Sequence, residues 1–188
     1  MTDRIWVFGY GSLVSPSSLE STIGRPVAAT DRVVAHLAGY GRRWNYGSMH
    51  LRGDWVHEGN DVREGLVVSL GLVSADAESC NGVAVRVTDA ELASLDWRER
   101  DYERTDVTDR IEADGLSSDD RIVTYVPRPS AIERYVQARD ERRAGVRRSY
   151  WDLVAAAFAA LGEDHVEVYH RTPPPDVPVV DMSLRMIG

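Results

Sequence analysis

The chain opens on a short apolar, aromatic run, Ile5 to Phe8, that stops at Gly9-Tyr10-Gly11. This pattern predicts a buried strand feeding a tight loop. Ser15 then stands as an N-cap with Pro16 at the first helical position and Gly24 past the end, which predicts a short helix over Pro16 to Ile23. The glycine-rich loop therefore joins a strand to a helix. Runs rich in Val, Ile or Thr predict further strands at Arg32 to Leu37, Gly65 to Leu72, Gly82 to Val87, Thr105 to Ile111 and Arg121 to Val126. These six strands could close a small barrel.

Two helices are predicted to begin with a capping box, in which Ser or Thr and a Glu three residues on satisfy each other's backbone donors. They start at Thr88 with Glu91 and at Ser130 with Glu133. A third begins near Ser149 and shows Tyr150, Leu153, Val154, Ala157, Phe158 and Leu161 on one face before Gly162. From Val166 the chain, which includes Pro173-Pro174-Pro175, is expected to be an extended tail laid over the domain. No repeat of fixed period and no long linker interrupts the pattern. The expectation is one α+β domain over residues 1–188: a small mixed β-barrel flanked by helices, with a Pro-rich tail from about 166.

Composition narrows the function classes. With 188 residues and 43% hydrophobic positions the chain can bury a core without disulfides or metals. Its single cysteine, Cys80, rules out an intramolecular disulfide and zinc sites built from several thiolates, and fits a reducing compartment. No basic segment leads into a long apolar run at the start, so the expected location is the cytoplasm and no membrane partner is expected. The formal net charge of −8 argues against non-specific nucleic-acid binding. Every basic side chain is arginine, which excludes a phosphate-loop lysine, a Schiff base and a lysine general base.

Three features could carry chemistry. In Val7-Phe8-Gly9-Tyr10-Gly11-Ser12-Leu13 two glycines at the end of a strand let backbone N–H groups approach an anion or carbonyl closely; the alternative is a plain tight turn. The dinucleotide fingerprint fails because its third glycine position is Val14, and the arrangement is not a nucleophile elbow. The second is Glu99, four residues past Leu95 and seven past Leu92, which projects from the apolar face of the helix. Burial there raises a carboxyl toward the range a general acid and base needs. A structural ion pair with Arg98, Arg100 or Arg104 explains the same position equally well. The third is the set Tyr10, Tyr102 and Tyr125, phenols that either orient a polar substrate or serve packing.

Other candidates are weaker. Ser12 and Cys80 could be nucleophiles, but nothing in the sequence sets any of the five histidines beside them. His50, His57 and Glu58 lack the spacing of a helical zinc site, so no metal is expected. The run Arg139, Arg142, Arg143, Arg147 and Arg148, broken by Asp140 and Glu141, reads as a solvated helix and loop.

Taken together, these segments resemble the γ-glutamylcyclotransferase superfamily. The resemblance rests on Phe8-Gly9-Tyr10-Gly11-Ser12-Leu13 and Leu95-Asp96-Trp97-Arg98-Glu99. It extends to Gly39-Tyr40-Gly41-Arg42-Arg43-Trp44, Arg52-Gly53, Asn81-Gly82-Val83-Ala84-Val85-Arg86 and Thr124-Tyr125-Val126. In order and spacing it is most similar to the glutathione-specific, ChaC-type branch, over roughly the first two thirds of the chain. It differs in reading Arg98-Glu99-Arg100-Asp101-Tyr102 where that branch has Gly-Tyr soon after Arg-Glu, and Asp54 to Ser79 and the tail beyond Val166 have no counterpart.

The resemblance implies a cofactor-free enzyme acting on a small γ-glutamyl substrate to give 5-oxoproline. Glu99 matches the residue that takes a proton from the substrate's α-ammonium. Tyr10, Gly11, Ser12, Leu13, Tyr102 and Tyr125 would bind the substrate, the loop amides acting like an oxyanion hole. Two alternatives remain at this point: a non-catalytic module binding a small acidic metabolite, and an interaction module using the arginine run and the tail.

Overall fold

The computed structural model describes residues 4–187. Strand β1 (Arg4–Gly9) lies in the middle of a curled, mixed sheet. The residues Trp6, Val7 and Phe8 are all buried, as expected of a strand covered on both faces. On one side β1 pairs antiparallel with β3 (Asn60–Val87), and on the other parallel with β6 (Asp120–Pro127). Strand β4 (Tyr102–Asp106) pairs antiparallel with β6, β2 (Arg32–His57) antiparallel with β3, and β5 (Ile111–Glu112) with β2. The order is β4-β6-β1-β3-β2-β5.

The two outer strands of that order do not pair with each other, so the expected barrel is a partial one. The remainder of the expected α+β class holds. Helices α1 (Pro16–Ile23), α2 (Asp89–Arg98), α3 (Pro129–Asp140), α4 (Arg148–Ala159) and α5 (Glu163–His170) flank the sheet. No helix among the described residues is long and apolar enough to cross a membrane.

Several elements differ from the sequence reading. The predicted strands at Arg32, Gly65 and Gly82 belong to two long strands, β2 and β3, joined at Glu58-Gly59. Both turn residues have positive φ (49° and 79°), as a two-residue hairpin of this twist requires. Bulges let the ribbon bend, and its far half pairs instead with β7 (Ala144–Arg147) and β9 (Ser183–Met186). The strand predicted over Thr105 to Ile111 is broken, because β4 ends at Asp106 and a short 3-10 turn follows over Thr108–Arg110.

Helix α1 has the predicted bounds and ends on Gly24 in the left-handed region (φ 76°). The capping box at Thr88 and Glu91 forms. The one expected at Ser130 does not, because Pro129 opens that helix and Arg128 is its N-cap, without a side-chain cap. The expected extended tail from Val166 is also corrected. Gly162 (φ 115°) separates α4 from a further two-turn helix, α5. Glu163 and Asp164 in its first turn favour its N-terminus, and Tyr169 stacks on Phe158 with ring centres 4.5 Å apart. Extended chain follows only beyond α5, contributing β8 (Val179–Val180) and β9.

Candidate active site

The topology gathers the candidate residues at one end of the sheet. Since β1 and β6 run parallel, the loop after Gly9 lies beside the C-terminal part of β6, and the Tyr10 phenol donates to the Tyr125 carbonyl at 2.6 Å. Strand β4 begins opposite the end of β6, with Tyr102 across from Pro127, which brings the turn after α2 to the same place. Glu99 sits in that turn as the C-cap of α2, not within the helix as the periodicity suggested. Its backbone N–H bonds the Leu95 carbonyl at 2.8 Å, so the last turn of α2 still fixes it.

One small cavity is lined by Phe8 and the loop Gly9 to Leu13, together with Leu70, Glu99, Tyr102, Tyr125 and Tyr150. All seven residues proposed from the sequence line it. Its free volume is about 30 Å³. That is room for roughly two water molecules, so the lining groups must part to admit anything larger.

Gly9 shapes the loop by close approach. A Cβ on it would lie 2.6 Å from Leu13 Cβ, so the chain can fold back over the end of β1 only with glycine there. The segment Ser12–Val14 then makes one 3-10 turn into α1. Among the described residues, no backbone hydrogen bond occupies the N–H of Gly11, Ser12 or Leu13.

Glu99 is both largely buried and ion-paired. Its side chain is 15% exposed and pairs with Arg98, Nε to Oε1 3.0 Å. Burial pushes its carboxyl up from the usual range, and the Arg98 charge opposes that rise. Arg98 is itself anchored by Ser12 Oγ (2.9 Å), Ser18 Oγ (3.0 Å), the Ser18 carbonyl (2.8 Å) and Thr22 Oγ1 (2.7 Å). One guanidinium thus ties the carboxylate to the glycine loop and to α1. The other two suggested partners are engaged elsewhere, Arg104 with Asp96 (2.5 Å) and Arg100 over the Trp97 ring (4.9 Å).

The phenols form a layer around the carboxylate. Tyr125 donates to Asp96 Oδ1 (2.9 Å) and Tyr102 to the Leu70 carbonyl (3.1 Å), while the Tyr102 ring stacks on Tyr46 (4.2 Å). Leu70 faces a bulge in β2 between Arg43 and Tyr46 and has no register partner, which leaves its carbonyl to the phenol. Burial first and the Glu99 charge second push Tyr10 well above the usual phenol range. At neutral pH it is a hydroxyl donor.

Sequence reasoning missed Tyr150, which it assigned to the apolar face of α4, and Leu70, which it placed inside a plain strand. Arg98 entered only as a possible ion-pair partner. No local signal marks the first two, because their place depends on how α4 and β3 pack. The nucleophile candidates fall away: burial pushes the Cys80 thiol up to about 11, and Ser12 Oγ accepts from Arg98.

A separate, larger cleft of about 670 Å³ lies between the β2–β3 hairpin tip and the turn from α3 to β7. It takes in Arg139, Arg142 and Arg143 of the arginine run but no residue of the Glu99 cavity. Among the described residues, no group of three or more His, Cys, Asp or Glu side chains could hold a metal ion.

Comparison with known proteins places this geometry in context. No curated protein sequence matches the chain at a significant level. Among solved structures, YkqA of Bacillus subtilis superposes with a TM-score of 0.54 at 18% identity, over 90% of this chain and 54% of that one. A protein named gamma-glutamyl cyclotransferase superposes with a TM-score of 0.53 at 13% identity, over 93% of this chain and 90% of that one. Both likenesses concern the fold. An Arabidopsis thaliana protein is 25% identical over 71% of this chain with a TM-score of 0.43, and the matched region spans 66% of that protein's length. The family profile of ChaC-like proteins matches residues 5–145, three quarters of the sequence and all of the Glu99 cavity apart from Tyr150. The chain belongs to the ChaC-like protein family.

Proposed function

We propose that the protein is a γ-glutamylcyclotransferase-like enzyme that converts a γ-glutamyl compound to 5-oxoproline and releases the attached amine or peptide. The observation that carries the reading is Glu99: a carboxylate largely withdrawn from water, raised by burial, and lining a cavity capped by uncommitted loop amides. Family membership supports it, and the fold shared with a protein named gamma-glutamyl cyclotransferase agrees.

In this reading Glu99 takes a proton from the substrate's α-ammonium, and the freed amine attacks the γ-carbonyl carbon of the same molecule. A new C–N bond closes the five-membered ring. The bond to the leaving nitrogen breaks as that nitrogen receives the proton from the Glu99 carboxyl, and the ring nitrogen gives its second proton to the regenerated carboxylate, which passes it to the released amine. One side chain serves as base and then as acid, which a carboxyl raised by burial is suited to do. Holding the glutamyl chain folded supplies much of the rate, because amine and carbonyl are already in one molecule. The N–H groups of Gly11, Ser12 and Leu13 stabilise the charge that develops on the carbonyl oxygen. Tyr10, Tyr102 and Tyr125 shape the wall, and no step calls for a cofactor. The single cysteine, buried and raised, suits a reducing compartment such as the cytoplasm.

Glutathione is the first substrate to try, given the resemblance to the glutathione-specific branch. The test is chromatographic detection of 5-oxoproline after incubation with glutathione, other γ-glutamyl dipeptides and γ-glutamyl amines. Glu99→Gln should keep the fold and lose about 10²- to 10⁴-fold in turnover. Full activity in that variant would remove Glu99 from the mechanism. Binding of these compounds without conversion by the unaltered protein would make the cavity a binding site alone.

A further inference from the structure

The cavity contains four phenols, and three have spent their protons. Tyr10 donates to the Tyr125 carbonyl, Tyr102 to the Leu70 carbonyl and Tyr125 to Asp96. The Tyr150 hydroxyl, among the described residues, donates to no protein acceptor. It stands close over the glycine loop: a Cβ on Gly11 would lie 3.0 Å from the Tyr150 oxygen. Glycine at position 11 thus leaves this hydroxyl room beside the uncommitted loop amides.

The ring that carries it is held firmly. Trp44 meets Tyr150 edge-on, with centroids 6.1 Å apart and planes at 85°, and Trp44 in turn stacks on Trp151 at 5.0 Å. Tyr150 and Trp151 sit side by side in the first turn of α4, so one indole clamps both. Burial pushes the Tyr150 phenol up to about 12, with the Glu99 charge acting in the same direction and the Leu70 N–H opposing it. The hydroxyl therefore keeps its proton throughout the neutral range. A pre-positioned donor with no protein acceptor, lining the same cavity as the carboxylate, is available to a ligand oxygen.

Resting on the cyclotransferase reading, we propose that Tyr150 is a catalytic residue whose hydroxyl donates to the γ-carbonyl oxygen of the substrate as the amine attacks. The donor adds to the neighbouring loop amides. It lies beyond residue 145, where the family match ends, and so belongs to the part of the chain that the match does not describe. No proton is transferred from it in the step. The hydrogen bond shortens as negative charge collects on the oxygen and relaxes when the leaving nitrogen departs.

Tyr150→Phe tests this, since it keeps the ring against Trp44 and removes only the hydroxyl. The steady-state rate of 5-oxoproline release is measured for the unaltered protein, Tyr150→Phe and Glu99→Gln, with a γ-glutamyl compound that the unaltered protein turns over. Thermal unfolding of each serves as the check on folding. The expected result is an unchanged unfolding midpoint, a kcat lowered about 10²-fold and a KM within about threefold of the original. A kcat within twofold of the original would overturn the proposal while leaving Glu99 in place. A rise in KM at constant kcat would equally overturn it, because it marks a bond made as strongly before the reaction as during it. Absence of turnover in the unaltered protein with every γ-glutamyl compound would instead overturn the cyclotransferase reading, and this proposal with it.

Discussion

Replacing Arg98 by glutamine separates the two forces that act on Glu99. Burial raises the carboxyl, and the guanidinium at 3.0 Å holds it down. The variant keeps a neutral polar side chain near Ser12, Ser18 and Thr22 but leaves a carboxylate without its counter-charge. Breaking a fully buried pair from one side costs about 3–5 kcal/mol. Here the side chains are 26% and 15% exposed, which lowers the expected cost to about 2–3 kcal/mol near neutral pH. For a chain of this size that corresponds to an unfolding midpoint lower by about 4–12 °C.

The cost must depend on pH, and its sign follows from the direction of the shift. A carboxyl raised in the folded state favours the protonated form there, so its contribution is greatest at low pH and is lost as pH rises through the folded value. Without Arg98 the folded value rises further. The variant's deficit should therefore be largest near pH 8 and shrink toward about pH 5. Thermal unfolding across that range, for Arg98→Gln alone and combined with Glu99→Gln, isolates the effect: in the double variant the pH-dependent part should vanish. Turnover should report the same change, with its acid limb displaced to higher pH. A deficit equal at every pH, or one that persists unchanged in the Glu99→Gln background, would refute the coupling.

Three further variants probe the frame around the site. Gly9→Ala places a Cβ 2.6 Å from Leu13 Cβ, so it should cost about 1–3 kcal/mol in denaturant unfolding and lower turnover as the loop is displaced. Tyr10→Phe deletes the 2.6 Å bond to the buried Tyr125 carbonyl, with an expected loss of about 1–3 kcal/mol by the same assay. Gly59→Ala strains a hairpin turn at φ 79° that lines no part of the Glu99 cavity, so it should cost about 1–2 kcal/mol and leave kcat and KM unchanged.

What the sequence disclosed is what local rules govern. Pro16 and Gly24 delimit α1, the Thr88 and Glu91 pair starts α2, and Glu99 follows Leu95 closely enough to face inward. Glycine spacing after Phe8 marked the loop, and the order of short motifs located the candidate residues. Long-range geometry stayed hidden. The polar stretch Ser74 to Glu78 falls between the predicted strands, yet it belongs to β3, spanning an irregularity between the pairs Ser74–Tyr40 and Ser79–Ala38 that no local pattern of side chains marks. Helix α5 is two turns long and gains its stability from Tyr169 against Phe158, a contact no window of sequence reveals. Tyr150 was visible only as one more apolar position, since on α4 its ring packs like its neighbours and only its hydroxyl reaches the cavity.

The identity of the product tests the central claim most directly. Purified protein is incubated with glutathione and with a panel of γ-glutamyl dipeptides and amines, and each mixture is analysed by chromatography for 5-oxoproline, glutamate and the released amine. Intramolecular attack requires 5-oxoproline and amine in equal amounts from at least one compound, with both lost in Glu99→Gln. Glutamate as the product would show that water is the nucleophile, and equal 5-oxoproline from the Glu99→Gln variant would show that the carboxylate is not the proton carrier; either result contradicts the account.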